Sequence, residues 1–202
     1  MTPVRASVIP APAPATGRPR SQRAHRAVLT AAAALFRSGG YAAASIEAIA
    51  EKSGIAKTTI YRHWPSRAAI LVDVLVEEAA TVAPMPEGRD PVRALRGELR
   101  KAGAAVYGLT GQLLTALLGE AQADPEVRSA LVNGLFHPRT AASARAVERA
   151  QKSGVFRADV PPRLAVDLLF GPLFYRMFVG HAPVTAAFVK QVFQYVSEGL
   201  DA

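Results

Sequence analysis

Apolar residues recur along most of this chain at intervals of three and four positions, which is the spacing of one face of an α-helix. Alternation with a period of two, typical of β-strands, is nowhere sustained. We therefore predict an all-α protein, with a kink at Pro138 inside its longest helix. The predicted helices cover about Ser21–Ser38, Ser45–Ser53, Ala56–His63, Ser66–Ala80, Pro91 onward, Thr110–Ala121, Pro125–Ser153, Pro162–Val179 and Pro183–Leu200.

The segment from Ser45 to Trp64 has the form of a short helix, a tight turn and a second short helix. Ser45 can cap the first helix, because its hydroxyl can accept a backbone N–H of the first turn. Ile46 and Ile49 share the buried face of that helix. Gly54 tolerates the left-handed backbone that a turn between two closely crossing helices requires. These features predict a helix-turn-helix unit.

The second helix of this unit is polar on three sides, and only Ile60 is expected to point inward. Its remaining residues are Lys57, Thr58, Thr59, Tyr61, Arg62 and His63. In a helix-turn-helix the second helix enters the major groove of DNA, where hydroxyl and amino groups reach base edges and phosphates. The alternative interpretation is a solvated surface helix, which a single polar run also allows.

The excess positive charge lies in the N-terminal third of the chain. Residues 1–70 contain ten Lys and Arg and two acidic residues, whereas residues 71–202 contain fourteen of each. The whole formal net charge of +8 therefore lies on the part with the predicted helix-turn-helix. A basic surface neutralises DNA phosphates and releases counterions, so the charge supports a DNA partner independently of the motif.

The stretch from Ala27 to Leu75 resembles the N-terminal domain of TetR-type transcriptional regulators. The resemblance is carried by Ala33, Leu35, Phe36, Gly40–Tyr41, Ile49–Ala50, Gly54 and the run Ile60–Trp64. Trp64 stands where members commonly carry Phe, and Arg67 where they carry Lys. The resemblance implies a three-helix DNA-binding domain at residues 20–66 and a helical ligand-binding and dimerisation domain at residues 67–202.

It further implies a homodimeric repressor that leaves its double-stranded DNA operator when a small molecule binds. The groove candidates are Lys57, Thr58, Thr59 and Tyr61, and the phosphate candidates are Ser45, Tyr61, His63 and Arg67, with Arg62 on the same helix. The ligand candidates, expected around a cavity between the middle helices and the helix at Pro162–Val179, are Tyr107, Phe136, His137, Phe174, Tyr175, Arg176 and His181. The competing interpretation is that each of these is an ordinary core residue.

The last two predicted helices, Pro162–Val179 and Pro183–Leu200, are the candidates for the homodimer interface. The first is apolar nearly all round, and such a helix needs cover on more than one side. Burial within one subunit is the alternative. In TetR-like proteins the last two helices pair into a four-helix bundle. The second helix of each helix-turn-helix unit is the reading helix. Two reading helices about 34 to 36 Å apart, one from each subunit, then match successive major grooves of a near-palindromic operator.

The first 19 residues alternate alanine and proline and predict a disordered tail. Arg20 and Arg23 follow it. In TetR-like proteins similar basic residues ahead of the first helix reach DNA, so these two are further candidates, with a solvated linker as the alternative.

Several classes of function are disfavoured. The four histidines are scattered, and no Ser-His-carboxylate set, phosphate loop or metal-ligand spacing occurs, so we predict neither an enzyme nor a cofactor or metal. Cysteine is absent and no apolar run is long enough to span a bilayer, so a cytoplasmic protein without a membrane partner is expected. A non-specific, nucleoid-type DNA-binding protein is the alternative function.

Overall fold

The computed structural model describes the backbone of residues 18–86 and 88–201, and the side chains of these residues from position 22 onward. The predicted alanine-proline tail lies outside the described residues up to residue 17. The side chain of Arg20 lies outside them as well, so its predicted DNA contact stays a prediction.

Within the described residues the fold is helical, as predicted. Its elements are α1 (Arg18–Ala43), α2 (Ile46–Ser53), α3 (Lys57–His63), α4 (Arg67–Val82), α5 (Pro91–Ala105), α6 (Leu109–Ala123), α7 (Pro125–Leu131), a π-helical turn (Val132–Phe136), α8 (His137–Lys152), α9 (Pro162–Val179) and α10 (Ala186–Leu200). The described residues contain no strand beyond an isolated β-bridge between Phe156 and Asp201.

Side-chain caps fix where several helices begin. The hydroxyl of Ser66 accepts the backbone N–H of Ala69 at the start of α4, and the carboxylate of Asp90 accepts that of Arg93 at the start of α5. The predicted start of the last helix at Pro183 is wrong by three residues. Thr185 caps that helix by accepting the N–H of Phe188 over 3.1 Å, so α10 begins only at Ala186.

The predicted stop of α1 at its glycine pair is confirmed as a break in the helix. Gly39 has a non-helical φ of −154° and Gly40 a left-handed φ of 68°, after which one more turn runs to Ala43. This bend leads the chain from α1 into α2.

The long helix predicted from Pro125 to Ser153 is interrupted before Pro138. The N–H of His137 bonds to the carbonyl of Val132, five residues back, within the π-helical turn. Proline lacks an N–H, and its ring needs room beside the preceding turn. The wider π turn supplies that room, so the expected disturbance lies just ahead of Pro138.

Two clusters of buried side chains hold the molecule together. The first joins α1–α4 with α6, α7 and the π turn, and includes Ile49, Ile60 and Leu71. The second joins α5, α8, α9 and α10. The predicted domain boundary between residues 66 and 67 falls inside the first cluster, because α4 is part of the core on which α1–α3 rest.

Candidate nucleic-acid interface and interior cavity

The turn between α2 and α3 has the geometry that the sequence predicts. The N–H of Ala48 donates to the Ser45 hydroxyl over 3.1 Å, and so caps α2. Gly54 has a left-handed φ of 69°, and its N–H bonds to the carbonyl of Ala50 over 3.0 Å. The Ser53 hydroxyl accepts the N–H of Ile55. This chain of local bonds sets the direction in which α3 leaves the turn.

The α3 helix is attached to the protein by its apolar side. Ile60 is fully buried and Trp64, which follows the last residue of the helix, is 4% exposed. Successive helical residues are about 100° apart, so Thr58 and Arg62 lie opposite Ile60, Tyr61 lies about 100° from it and Lys57 about 60°. All four are exposed. Thr59 and His63 lie on the flank of α3, where they line a groove between α1 and α3.

An exposed ion pair connects the two helices of the unit. Lys57 Nζ donates to Glu47 Oε1 over 2.7 Å. This hydrogen bond and the charge of Lys57 lower the pKa of Glu47, so the carboxylate stays ionised. The pair positions the Lys57 ammonium, but it also places a negative charge beside the face of α3 that would meet phosphates.

The other two predicted phosphate contacts, Ser45 and Arg67, are half-buried. The Ser45 hydroxyl is used as the α2 cap. A phosphate would then be met by the backbone at the start of that helix. The Arg67 guanidinium lies over the ring of Tyr41, 4.2 Å from the ring centre. Tyr41 therefore holds the basic residue at the start of α4.

The end of α3 is joined to both neighbouring long helices through Trp64. The Trp64 indole N–H donates to Asp73 Oδ2 in α4, and the His25 ring of α1 stacks on the indole with 4.9 Å between ring centres. His25 Nε2 lies 4.0 Å from a carboxylate oxygen of Glu77 on α4. The orientation of α3 thus depends on where α1 and α4 lie.

A second site lies in the C-terminal part, where a cavity of about 350 Å³ opens between α4, α5, α6, the π turn, α8 and α9. This volume is within the range of roughly 300 to 1,000 Å³ that is usual for small-molecule sites. Most of the wall is apolar, with Leu114, Leu135, Phe170 and Met177 among its residues.

Two of the predicted ligand residues line this cavity: the rings of Phe136 and Phe174 meet edge to face, 5.8 Å apart. The structure does not bring His137, Tyr175 and His181 to the cavity. All three are exposed, and Tyr175 packs against His181 on the surface. Tyr175 is one position after Phe174, so the helix turns it about 100° away from the wall.

Tyr107 and Arg176 line a neighbouring groove and have structural partners. The Tyr107 hydroxyl accepts the N–H of Val184 over 2.6 Å. Arg176 donates to the carbonyl of Pro183 and covers the ring of Phe188. Both residues therefore fasten the loop between α9 and α10.

The main polar group of the cavity was missed by the sequence predictions. Glu98 on α5 is 3% exposed. Its Oε1 accepts from Arg139 Nη2 over 3.1 Å and its Oε2 from the Ser143 hydroxyl over 2.7 Å. Burial raises the pKa of Glu98, and the bonds from Ser143 and Arg139 offset only part of that rise. The same Arg139 nitrogen donates to the carbonyl of Ala83 at the end of α4.

A signal for Glu98 exists in the sequence. It shares one helix face with Leu95, Leu99 and Ala102, at offsets of three, one and four residues. A single carboxylate on such a face must find a buried partner. That the partners are Arg139 and Ser143 follows only from the packing of α5 against α8.

One face of α9 is apolar and uncovered in the single chain. Leu164 and Leu168 are each 48% exposed, and Tyr175 and Phe178 continue the same ridge at 62% and 47%. Tyr195 on α10 is exposed as well. Gly171 belongs both to this face and to the wall of the cavity.

No single helix in residues 18–86 and 88–201 is long and apolar enough to cross a membrane; α5 and α6 meet that criterion only together, as a pair bent by 80°. In the same part of the chain, no three His, Asp or Glu side chains are grouped as a metal site would need.

A basic helix docked by its apolar side after a capped helix and a glycine turn defines a helix-turn-helix DNA-binding protein. Comparison with known families agrees. The family model "Bacterial regulatory proteins, tetR family" matches residues 28–74, and "Tetracyclin repressor-like, C-terminal domain" matches residues 85–196. The chain belongs to the TetR family of transcriptional regulators.

Individual relatives cover different lengths of the chain. The uncharacterized HTH-type transcriptional regulator YdeS of Bacillus subtilis (strain 168) is 26% identical over 186 residues, which are 92% of this chain and 94% of YdeS. The HTH-type transcriptional repressor KstR of Rhodococcus jostii (strain RHA1) is 35% identical over 72 residues, 34% of each chain. The crystal structure of the TetR family transcription regulator SCO0332 has a TM-score of 0.77 and 29% identity, and covers 89% of this chain and 100% of that one.

Proposed function

We propose that this DNA-binding regulator is a homodimeric repressor, which places α3 in the major groove of a near-palindromic operator and leaves it when a small molecule fills the cavity. The observation that carries the DNA-binding part is the exposed surface of Lys57, Thr58, Tyr61 and Arg62 on a helix that buries Ile60. Two hydroxyl groups, an ammonium and a guanidinium on the exposed surface of a short helix can reach base edges and phosphates.

The remaining predicted DNA contacts would surround this face. His63 and Thr59 lie on its flank, and Arg67 is held over Tyr41 at the start of α4. The backbone N–H groups at the start of α2 are within the turn that Ser45 caps, where an anionic phosphate is favoured by the helix dipole. We assign Ser45, His63 and Arg67 to phosphates and the exposed face of α3 to the groove.

The homodimer would form through α9 and α10. The apolar ridge of Leu164, Leu168, Tyr175 and Phe178 would be exposed to water in a monomer, and contiguous apolar surface of this kind marks an interaction site. A partner related by a two-fold axis at the ridge would bring a second α3 to the same DNA. Two α3 helices whose centres are about 34 to 36 Å apart would fit successive major grooves.

Release by a small molecule is supported by the position of α4. Its N-terminal half contacts α3 through Trp64 and Asp73, and Ala79 and Ala83 at its other end line the cavity. A ligand that displaces this end of α4 would alter the spacing of the two α3 helices. Ligand and operator must then weaken each other's binding by the same factor.

The DNA-binding part can be tested by gel-shift titration of the DNA flanking the protein's own gene against random DNA of equal length. A specific regulator should prefer its operator by roughly 10³ or more, whereas a nucleoid-type protein would bind both alike. Lys57→Ala combined with Tyr61→Ala should abolish operator binding, while Lys152→Ala, on the exposed end of α8, should leave it unchanged. Operator binding retained by the double variant would refute the assignment of α3.

A further inference from the structure

We propose that the effector is a mainly apolar molecule carrying one strong hydrogen-bond acceptor, a carbonyl or carboxylate oxygen, and that Arg139 binds this oxygen. This rests on the proposed function, because it takes the cavity as the effector site. Arg139 is on α8, belongs to the wall of the cavity and has a side chain that is 19% exposed.

The guanidinium of Arg139 has unused hydrogen-bonding capacity. An arginine carries five N–H donors. Both donors of Nη2 are engaged, one by the carbonyl of Ala83 at 2.6 Å and the other by Glu98 Oε1 at 3.1 Å. Nε and Nη1 donate to no described residue. No side-chain nitrogen or oxygen of the described residues is both buried and unpartnered, so these two nitrogens have access to open space. Three N–H groups are thus solvent-accessible and without a partner among the described residues, on a side chain that lines the cavity.

The carboxylates of the cavity offer less to a ligand. Both Glu98 oxygens already accept a hydrogen bond, and the Glu98 side chain is only 1% exposed. Asp167, the other carboxylate in the wall, is exposed, so water and salt screen its charge. A cationic head group would find both Glu98 oxygens engaged and Arg139 beside them, and the only other carboxylate in the wall is the screened Asp167. The polar end of the cavity therefore favours an acceptor over a cation.

The rest of the wall determines the body of the ligand. Leu114, Leu135, Phe136, Phe170 and Phe174 present hydrocarbon surface, and burial of apolar ligand surface against them is the main favourable contribution that this wall can make. At about 350 Å³ the space is at the small end of the usual range for ligand sites. An apolar molecule with a single polar end fits this distribution.

Arg139 also connects the ligand to the DNA-binding unit. The N–H of Ala83 bonds to Ala79 and closes α4, and the carbonyl of Ala83 is held by Arg139. An acceptor that draws the guanidinium toward the ligand weakens its bond to Ala83 and frees this end of α4. The start of α4 is next to Trp64, so the change reaches α3 along a single helix.

The test is calorimetric titration of the full-length protein with three probes of similar apolar length, the two ionic ones below their critical micelle concentrations and the ketone below its solubility limit. Decanoate and 2-undecanone carry an acceptor, and decylammonium carries a donor cation. We expect the protein to bind both acceptors and to bind decylammonium at least about tenfold more weakly. Arg139→Met should weaken both acceptors by about tenfold, because a hydrogen bond from a charged group is lost. Arg145→Met, an exposed arginine on the same helix, should have no effect.

A second variant covers the case in which Arg139→Met does not fold because Glu98 loses its cation. The double variant Glu98→Met with Arg139→Met removes the whole buried pair, and such replacements are commonly neutral or stabilising. Its acceptor binding should also fall about tenfold. Unchanged acceptor binding in these variants, equal binding of decylammonium, or no binding of either acceptor overturns the proposal. Gel shifts with the same probes test release separately: an acceptor that binds through Arg139 yet leaves operator affinity unchanged refutes the effector role of the cavity.

Discussion

The indole nitrogen of Trp64 and the carboxylate of Asp73 are joined by a hydrogen bond of 2.7 Å, which ties the end of α3 to the second turn of α4. Trp64 is 4% exposed, so its N–H has little access to water when Asp73 is removed. The bond is the most direct polar connection between the reading helix and the helix that reaches the cavity.

This connection can be measured by a double-mutant cycle. Asp73→Leu leaves a buried donor without an acceptor and should lower the free energy of unfolding by about 1 to 3 kcal/mol. Trp64→Phe removes the donor, and the double variant removes both groups. We expect the double variant to be more stable than the sum of the single losses implies, by more than about 0.5 kcal/mol. Denaturation followed by circular dichroism measures this, and additive losses would show that the bond contributes nothing.

The ion pair between Glu47 and Lys57 should restrain DNA binding. Glu47→Gln removes a negative charge from the edge of the reading face and frees the Lys57 ammonium for a phosphate. We expect operator affinity to rise by about threefold to tenfold at low salt, with the gain shrinking as salt increases. Glu51→Gln is the matched control, because Glu51 is exposed on the same helix but makes no ion pair among the described residues. Gel shifts at several salt concentrations measure the operator affinity of both variants. Equal effects of the two substitutions would contradict this role of the pair.

The proposed dimer interface allows a closely matched comparison. Leu168 on the α9 ridge is 48% exposed, and Val155 in the loop before α9 is 46% exposed. Leu168→Glu would bury a charge at the interface and should convert the dimer to a monomer, whereas Val155→Glu should leave it a dimer. Sedimentation equilibrium distinguishes the two states. A dimer that survives Leu168→Glu would place the interface elsewhere.

Two glycines on α6 should respond in opposite directions to the same substitution. A methyl group on Gly111 would overlap the backbone carbonyl of Val106, whereas nothing lies within 4 Å of the position that it would take on Gly119. Gly111→Ala should lower the melting temperature, because backbone must move to make room. Gly119→Ala should raise stability by about 0.5 to 1 kcal/mol, since alanine favours the helix. Thermal unfolding of both variants checks this. A Gly111→Ala variant with an unchanged melting temperature would show that the backbone between α5 and α6 shifts easily to make room.

Local signals in the sequence were sufficient to predict the helix-turn-helix unit of α2 and α3. Ser45, Gly54 and Ser66 act within four residues of their own positions, so their roles as caps and turn follow from the chain alone. Ile60 could be predicted as the inward residue because it is the one aliphatic residue of α3, and it is buried. The groove at Thr59 and His63 was not predicted, because it depends on where α1 lies.

The cavity was less predictable for a physical reason. Phe136 and Phe174 were expected to line it and do, but His137 and Tyr175, each one residue later, point outward. An apolar helix without a polar side gives no indication of its rotation about its own axis, and α9 is such a helix. The pairing of Glu98 with Arg139 spans 41 residues and depends on how α5 crosses α8.

The shared core of α1–α4, α6 and α7 has a consequence for engineering. A chimera cut between residues 66 and 67 would remove side chains that cover Ile49, Ile60 and Trp64. The separated segment of residues 1–66 would then expose an apolar surface instead of forming a folded DNA-binding domain. New operator or ligand specificities are therefore better obtained by substitutions within the intact chain than by exchanging its N-terminal and C-terminal segments.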